Sequence, residues 1–419
     1  MTAGGASRAK RSPALIGAGD ARIAWADGQM PVLAALRERF ARERPLAGRR
    51  VAACLHVTAE TANLMRALVA GGAEVALCAA NPLSTQDDVA AALISEHGVA
   101  VLGVRGEDRA AYERHLHALL ERGPEILIDD GAELIVAAHS GEHAGAAGVL
   151  AATEETTTGL VRLRAMAAAG ELRCPVLAIN ESLTERVFND RYGTGQSTLD
   201  GLLRATNLLL AGRAVVVLGY GSAGRGVAQR AKGMGAAVIV CEVDAVRALE
   251  ARMEGFEVMS AIAAARVGEV FITVTGAPDV LRGEHFELMR DGAVLANAGH
   301  FDVEISLREL EALAGAPREA LPLVDEYIVA GRRLHVVAKG RVVNLAAAAG
   351  HPASVMDLSF AAQALAVAAV AGGRSERVPG VHAVSVAVDQ EVARLKLATL
   401  GIEIDVLSDA QERYLRPFR

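Results

Sequence analysis

The chain has 419 residues, enough for two or three domains with an ample core. It is 52% hydrophobic with positive mean hydropathy, which excludes a disordered chain, and only 3% aromatic, so Ala, Val and Leu carry the packing. Lys and Arg number 43 against 50 Asp and Glu, and the resulting net charge of −7 gives nucleic acid no electrostatic foothold.

The first twenty residues, "MTAGGASRAKRSPALIGAGD", are small, basic and Gly-rich and read as a loose tail. The segment "RRVAACLHVTAETANLMRALVAGGAEVALCAANPLSTQDD" follows as strand, turn, helix and strand. A helix over Asp87–Glu96, the short strand "VAVLGV" and the buried strand in "EILIDDGAEL" come next. A second unit, "RAVVVLGYGSAGRGVAQRAKGMGAAVIVCEVD", repeats the alternation, which continues through "EVFITVTGA", "GAVLANAGH" and "LHVVAKGRVVNL". The rest reads as mostly helical. This is the pattern of an α/β protein with parallel, doubly wound sheets. Cys54, Cys78, Cys174 and Cys241 form no C-x-x-C pair and lie in or beside apolar runs, which predicts free core thiols and a cytoplasmic setting. No apolar span of about twenty residues lacks charge, so no transmembrane helix is expected.

Gly219-Tyr-Gly221-Ser-Ala-Gly224 fits G-x-G-x-x-G between a strand and a helix, and Glu242 closes the next strand 23 positions after Gly219. Glycines permit a tight turn that brings a pyrophosphate against a helix N-terminus, and an acid about 20 residues on binds a ribose diol. The carboxylate repels a 2′-phosphate, so NAD is expected rather than NADP. Polar residues also gather at strand ends: His56, Thr58, Glu60 and Thr61; Asp129 and Asp130; Glu154 to Thr158; Asn297, Gly299 and His300; and His351. Ligands in open α/β sheets bind beyond the carboxyl ends of strands. Each residue alone has a plain structural reading: Asp129 as a turn cap, Glu154 and the threonines as a helix start. No histidine spacing suits a metal.

The stretches "NPLSTQDD", "EETTTG", "RATNLLLAGRAVVVLGYGSAGRGVAQRAKGMGA", "GHFDVEI" and "KGRVVNLAAAAGHPASVMDLSF" together resemble the S-adenosylhomocysteine hydrolase family, in its short prokaryotic form, from about Ile23 to Arg419. The resemblance implies two Rossmann-like domains in five stretches. These are a flexible tail (1–20), a substrate domain in two parts (21–185 and 346–390), an NAD domain between them (186–345) and an oligomerisation segment (391–419). It also implies a homotetramer or homodimer acting on an adenine nucleoside. NAD oxidises the ribose 3′-hydroxyl, the C4′ hydrogen becomes acidic, the C5′ substituent leaves, water adds, and the ketone is reduced again. By the same resemblance His56, Asp130 and His300 act near C5′, and Glu155 binds ribose hydroxyls. Thr58, Glu60, Thr61, Asn180, His351 and Met356 contact substrate. Thr156, Thr157, Thr158, Gly219, Gly221, Gly224, Glu242, Gly299 and Asn344 contact NAD.

One stretch departs from the family. Its pattern is about N-D-S-x-x-K-x-x-F-D-N-x-Y-G, and this chain keeps Asn180, Ser182, Phe188, Tyr192 and Gly193. The catalytic Lys is replaced by Glu185, the Asp beside the sugar by Asn189 and the next Asn by Asp190. Glu185 adds a carboxylate that the nearby carboxylates Glu155 and Asp130 would tune upward, and Asp190 should point about 100° around a helix from Asn189. Three readings follow: a nucleoside dehydratase that leaves a 4′,5′-alkene, as in nucleoside antibiotics of the angustmycin type; an ordinary hydrolase; and a non-catalytic NAD-binding regulator. Retuning of three positions inside an intact frame favours the dehydratase over the hydrolase. The retained His56, Asp130, Glu155 and His300 weigh against the regulator.

Overall fold

The computed structural model describes residues 12–82, 84–140 and 148–415. The first parallel sheet is built from β1 (Arg50–Cys54), β2 (Glu74–Cys78), β3 (Ala100–Leu102), β4 (Ile126–Asp129), β5 (Ala151–Glu154) and β6 (Pro175–Ala178). Its order, from one edge, is β6-β5-β4-β1-β2-β3, and a late strand, Gly380–Ala383, pairs with the outer edge of β6. Along β1 the side chains alternate. Val51 and Ala53 join the core under one set of helices, while Ala52 and Cys54 join the core on the other face. That period of two is what a sheet covered on both faces requires. All four cysteines are buried and free.

The second sheet contains β7 (Ala214–Leu218), β8 (Ala237–Cys241), β9 (Glu257–Val258), β10 (Val270–Thr273), β11 (Ala293–Asn297), β12 (Arg318–Leu321), β13 (Val324–Val329) and β14 (Arg332–Val337). Its parallel part runs β14-β11-β10-β7-β8-β9, the same order as the first sheet. The antiparallel β12 and β13 extend one edge. Both sheets therefore reverse their winding between the first and fourth strands, where open α/β sheets bind ligands. With Gly380–Ala383 named β15, the strands number fifteen among the described residues.

The chain ends differ from the sequence expectation. Pro13–Asp27 is a helix, N-capped by Ser12, so the loose tail expected through residue 20 gives way at Pro13. Residues 1–11 lie outside the described residues. The strand Gly380–Ala383 is not expected from the sequence, because "GVHA" is short and follows a Gly-Gly-Arg-Ser turn. The boundary expected at 391 falls inside the helix Val386–Thr399, whose Val392 is buried in the first domain's core. Ala353–Ala371 is long and apolar enough to cross a membrane, yet most of it is buried between helices and the first sheet.

A carboxylate on that helix ties three distant segments together. Asp357, fully buried, accepts hydrogen bonds from Leu33 N (2.8 Å) and Val32 N (3.3 Å) at the start of the helix Pro31–Glu43. Lys396 Nζ from Val386–Thr399 donates to the same group at 2.9 Å. Pro31 sets the first turn but offers no side-chain cap, so the free N–H groups need this partner. Truncation in Asp357→Ala would strand Lys396 and two N–H groups, a loss of about 3 kcal/mol. Chemical unfolding should show that loss, and Asp357→Asn should recover part of it.

Candidate active site

Three candidates leave the first sheet side by side because their strands are neighbours. Glu155 follows β5, Asp130 follows β4 and His56 lies two residues beyond β1. Their backbones are locked locally. Asp130 N donates to Cys54 O at 3.1 Å and Glu155 N to Asp129 O at 3.0 Å. Asp129 and Glu154 spend their carboxylates on the same loop. Asp129 accepts from Ile135 N (2.8 Å) and Asp130 N (3.0 Å). Glu154 accepts from Gly131 N (2.8 Å), Ala132 N (3.0 Å) and Thr156 N (3.0 Å). These two acids are anchors that aim Asp130 and Glu155, in keeping with their plain structural reading.

His56 Nε2 lies 3.3 Å from Asp130 Oδ2. His56 Nδ1 and Asp130 Oδ1 are buried without a partner. His300 arrives from beyond β11 of the second sheet, close enough that the Asp130 charge and His56 both act on it. Its loop is fixed by Asn297, whose amide donates to Phe301 O (2.7 Å), Gly340 O (2.9 Å) and Gly299 O (3.1 Å) while its oxygen accepts from Gly299 N (2.8 Å). His351 belongs to the same group. Burial holds it down at about 4, with His56 also lowering it and Asp130 opposing. His351 Nε2 is 3.2 Å from Thr194 Oγ1. The carboxyl ends of the two sheets therefore face each other across one cleft.

Residues 185–194 form a π-helical segment, Glu185–Thr194, seated against Gly226, where a side chain would strike Arg191 O. Such segments recur at functional sites. Asp389 caps its start, accepting from Leu183 N (2.9 Å), Thr184 N (2.9 Å) and Thr184 Oγ1 (2.6 Å). Glu185 and Asn189 are buried, and Glu185 Oε2 and Asn189 Oδ1 have no partner. Asp190, one residue on, is half-buried, and its charge acts on both Glu155 and Glu185. Burial, then the neighbouring acids, pushes Glu185 well above the usual carboxylate range. Burial pushes Glu155 up to about 7 and Asp190 up to about 6, with Arg186 pulling Asp190 down.

One face of the helix Ala353–Ala371 completes this pocket. Met356 Sδ accepts from Asn189 Nδ2 at 3.7 Å, Ser359 Oγ donates to Glu155 Oε1, and Gln363 Nε2 donates to Thr153 Oγ1 at 2.7 Å. Positions three and four apart share a helix face. Ser359 and Gln363 are absent from the sequence candidates. Their signal is there all the same, two polar residues four apart in an apolar helix. Asp389 offers no such signal, because its partners lie 205 and 206 residues away.

The remaining candidates divide between site and scaffold. Thr58 caps the helix Ala59–Ala70 through Thr61 N (3.4 Å), with Glu60 in its first turn and Thr61 buried. Thr156 caps Thr157–Ala168 through Gly159 N (3.0 Å), Thr158 Oγ1 donates to Thr156, and Thr157 Oγ1 donates to Asn180 Oδ1 at 2.6 Å. Gly219 takes φ +106°, and a side chain at Gly224 would strike Gly219 O. The helix opened by Gly221, Ser222–Gly233, has no side-chain cap, so its first N–H groups stay available to an anion. Glu242 Oε2 accepts from Tyr220 N at 2.7 Å, which sets the carboxylate across the turn. Asn344 donates to Ser197 Oγ at 3.3 Å and keeps a buried, unpartnered Oδ1. Gly299 leaves no room for a side chain beside Glu304. These features fit a dinucleotide.

The raised carboxyls carry a stability cost with a definite sign. A group whose folded pKa lies above its unfolded value holds more protons in the native state, so stability falls as pH rises between the two values. Glu185→Gln removes one such group. At pH 8 it should stabilise the protein relative to the parent, and at pH 4 it should change little. Thermal unfolding of both proteins at the two pH values checks this.

Sequence comparisons agree with the geometry. The profile of the S-adenosyl-L-homocysteine hydrolase NAD-binding domain matches residues 190–350, and that of S-adenosyl-L-homocysteine hydrolase matches residues 11–152. The adenosylhomocysteinase of Aquifex aeolicus is 56% identical over 395 residues, 94% of each chain. That of Thermosynechococcus vestitus is 52% identical over 95% of this chain and 93% of its own. A dipicolinate synthase chain from Bacillus halodurans shares the fold alone, with a TM-score of 0.51 and 14% identity over 77% of this chain and 99% of that one. The chain belongs to the S-adenosyl-L-homocysteine hydrolase family, and its second sheet is the family's NAD-binding domain.

Proposed function

We propose that the chain is an NAD-dependent hydrolase of S-adenosyl-L-homocysteine, releasing adenosine and homocysteine. The observation that carries this is the His56–Asp130 pair at the winding reversal of the first sheet, with His300 brought to it from the second. Near-full-length identity of 52–56% to adenosylhomocysteinases moves the balance away from a dehydratase and toward this reading. Bound NAD supplies a hydride acceptor for the ribose 3′-carbinol.

The chain's own residues do the rest. Glu155, Glu185 and Asn189 face the ribose hydroxyls with unpartnered buried oxygens, each wanting a donor. Asp130 and His56 manage the proton at C5′, first for the leaving thiolate and then for the water that replaces it. Burial and His56 keep His300 below the ordinary histidine range, so it serves as a neutral partner. Thr58, Glu60, Thr61, His351 and Met356 hold the base, with Asn180 at the edge. Thr156 to Thr158, Gly219, Gly221, Gly224, Glu242, Gly299 and Asn344 hold the dinucleotide. The exposed apolar residues Leu400, Ile402, Ile404 and Val406, and Val246, Leu249 and Met253, suit a homotetramer or homodimer.

A second reading keeps one observation in its favour. Glu185 is buried among acids where the resembled family has a cation. Such a site suits an altered cycle in which hydroxide leaves C5′ and no water returns, making an alkene. Incubation with S-adenosyl-L-homocysteine and a thiol reagent separates the two. Rapid homocysteine release is expected. Its absence, with a 4′,5′-unsaturated adenine nucleoside found by mass spectrometry from a 5′-hydroxy substrate, would replace the hydrolase with the dehydratase. The triple reversion Glu185→Lys, Asn189→Asp and Asp190→Asn would then raise thiol release.

A further inference from the structure

Glu185 and Asn189 are buried with unpartnered side-chain oxygens, and the π segment that carries them is held from outside the pocket, once at each end. Its start is taken by Asp389, which accepts from Leu183 N and Thr184 N. Its later turn is taken by the helix Ser222–Gly233, which follows the glycine turn. Arg191 Nε and Nη2 both donate to Gln229 Oε1 of that helix, at 3.2 and 3.1 Å. The two backbones touch here. A side chain at Gly226 would strike Arg191 O, and one at Gly195 would strike the Gly226 backbone. On the outer surface Tyr192 stacks on Phe188 with ring centres 6.2 Å apart, and the Arg230 guanidinium lies 5.5 Å from the centre of the Tyr192 ring.

Gln229 is itself fixed. Its Nε2 donates to Glu254 Oε2 at 3.4 Å, and the same oxygen accepts from Tyr220 Oη at 2.7 Å. Arg225 pairs with Glu254 and with Glu250. A guanidinium only donates, so Arg191 requires the oxygen end of the amide, and the Glu254 carboxylate requires the nitrogen end. One orientation of Gln229 meets both. Tyr220 lies within the glycine turn, and its N–H donates to Glu242 at 2.7 Å. Every link from Glu242 to the π segment is therefore a hydrogen bond, through Tyr220, Glu254, Gln229 and Arg191.

We propose that Arg191 and Gln229 form a clip that positions Glu185 and Asn189 by fixing the later turn of the π segment against the NAD-binding domain. Arg191 is two residues beyond Asn189. Without the clip Asp389 still holds the start of the segment, while the turn that carries Asn189 loses its two charge-assisted hydrogen bonds. A π turn is uncommon and has to be held by its surroundings. Arg191 and Gln229 are positioning residues, acting through the segment. Their part in ribose oxidation rests on the hydrolase reading above; their hold on the segment does not.

Two measurements on the full chain loaded with NAD test the clip: the rate at which an adenine nucleoside reduces the cofactor, and amide hydrogen exchange in the peptide covering residues 185–194. Both Arg191 and Gln229 are half-buried, outside the cores, so their variants should fold. Arg191→Met and Gln229→Met should each slow cofactor reduction by on the order of 10-fold to 100-fold, with substrate KM and NAD affinity nearly unchanged. Each should also speed exchange in that peptide. The double variant should be no slower, and exchange no faster, than the worse single variant, because the two residues act as one unit. Arg191→Lys, which can still donate to Gln229, should recover part of both signals. Losses that multiply in the double variant would overturn the proposal, as would an unchanged rate and exchange in Arg191→Met. A fall in NAD affinity matching the fall in rate would overturn it too, since the damage would then be general to the domain. Should the parent protein reduce no cofactor with any adenine nucleoside, the hydrolase reading fails, and the exchange comparison still decides whether the clip holds the segment.

Discussion

Helix starts need partners for their free N–H groups, and here two carboxylates from the last third of the chain supply them. Asp357 serves the helix Pro31–Glu43 and Asp389 serves the segment that carries Glu185. Their separations in sequence, 324 and 205 residues, mean that neither contact forms until the chain has left the first sheet, built the second and come back. The first domain is thus closed by elements that follow the second. The returning helix Ala353–Ala371 and strand Gly380–Ala383 supply the fourth wall of the site and the last strand of the sheet.

The site itself follows from strand order. Once β5, β4 and β1 are neighbours, the residues just past their ends stand in a row, and Glu155, Asp130 and His56 need no further device to meet. Two other acids, Asp129 and Glu154, are spent on backbone N–H groups so that this row keeps its shape. That division of labour separates residues that look alike in sequence. Adjacent acids at a strand end include one that points into the loop and one that points into the cleft, and only the pleat decides which.

Much of this is legible in the residues. The glycine turn, the strand–helix alternation and the strand-end polar groups lead to the fold and to most of the cleft. What is not legible comes from long-range closure. "GVHA" carries no signal strong enough to announce a strand, because its pairing with β6 is a product of the returning chain. Thr156, a cofactor candidate by resemblance, also caps a helix, a duty the sequence pattern equally allows.

Glu185 sits in the site with less charge than its formal one suggests. A carboxylate brings a full negative charge to a site only if it ionises. Burial and the nearby Glu155 and Asp190 oppose ionisation and hold the Glu185 carboxyl well above the usual range. A neutral acid still donates one hydrogen bond and, after giving up its proton, accepts another. Moving the second acid from position 189 to 190 keeps a carboxylate near the pocket while the Asn189 amide turns its N–H toward Met356 and leaves its oxygen facing inward. The segment therefore places groups able to give and take a proton beside the pocket.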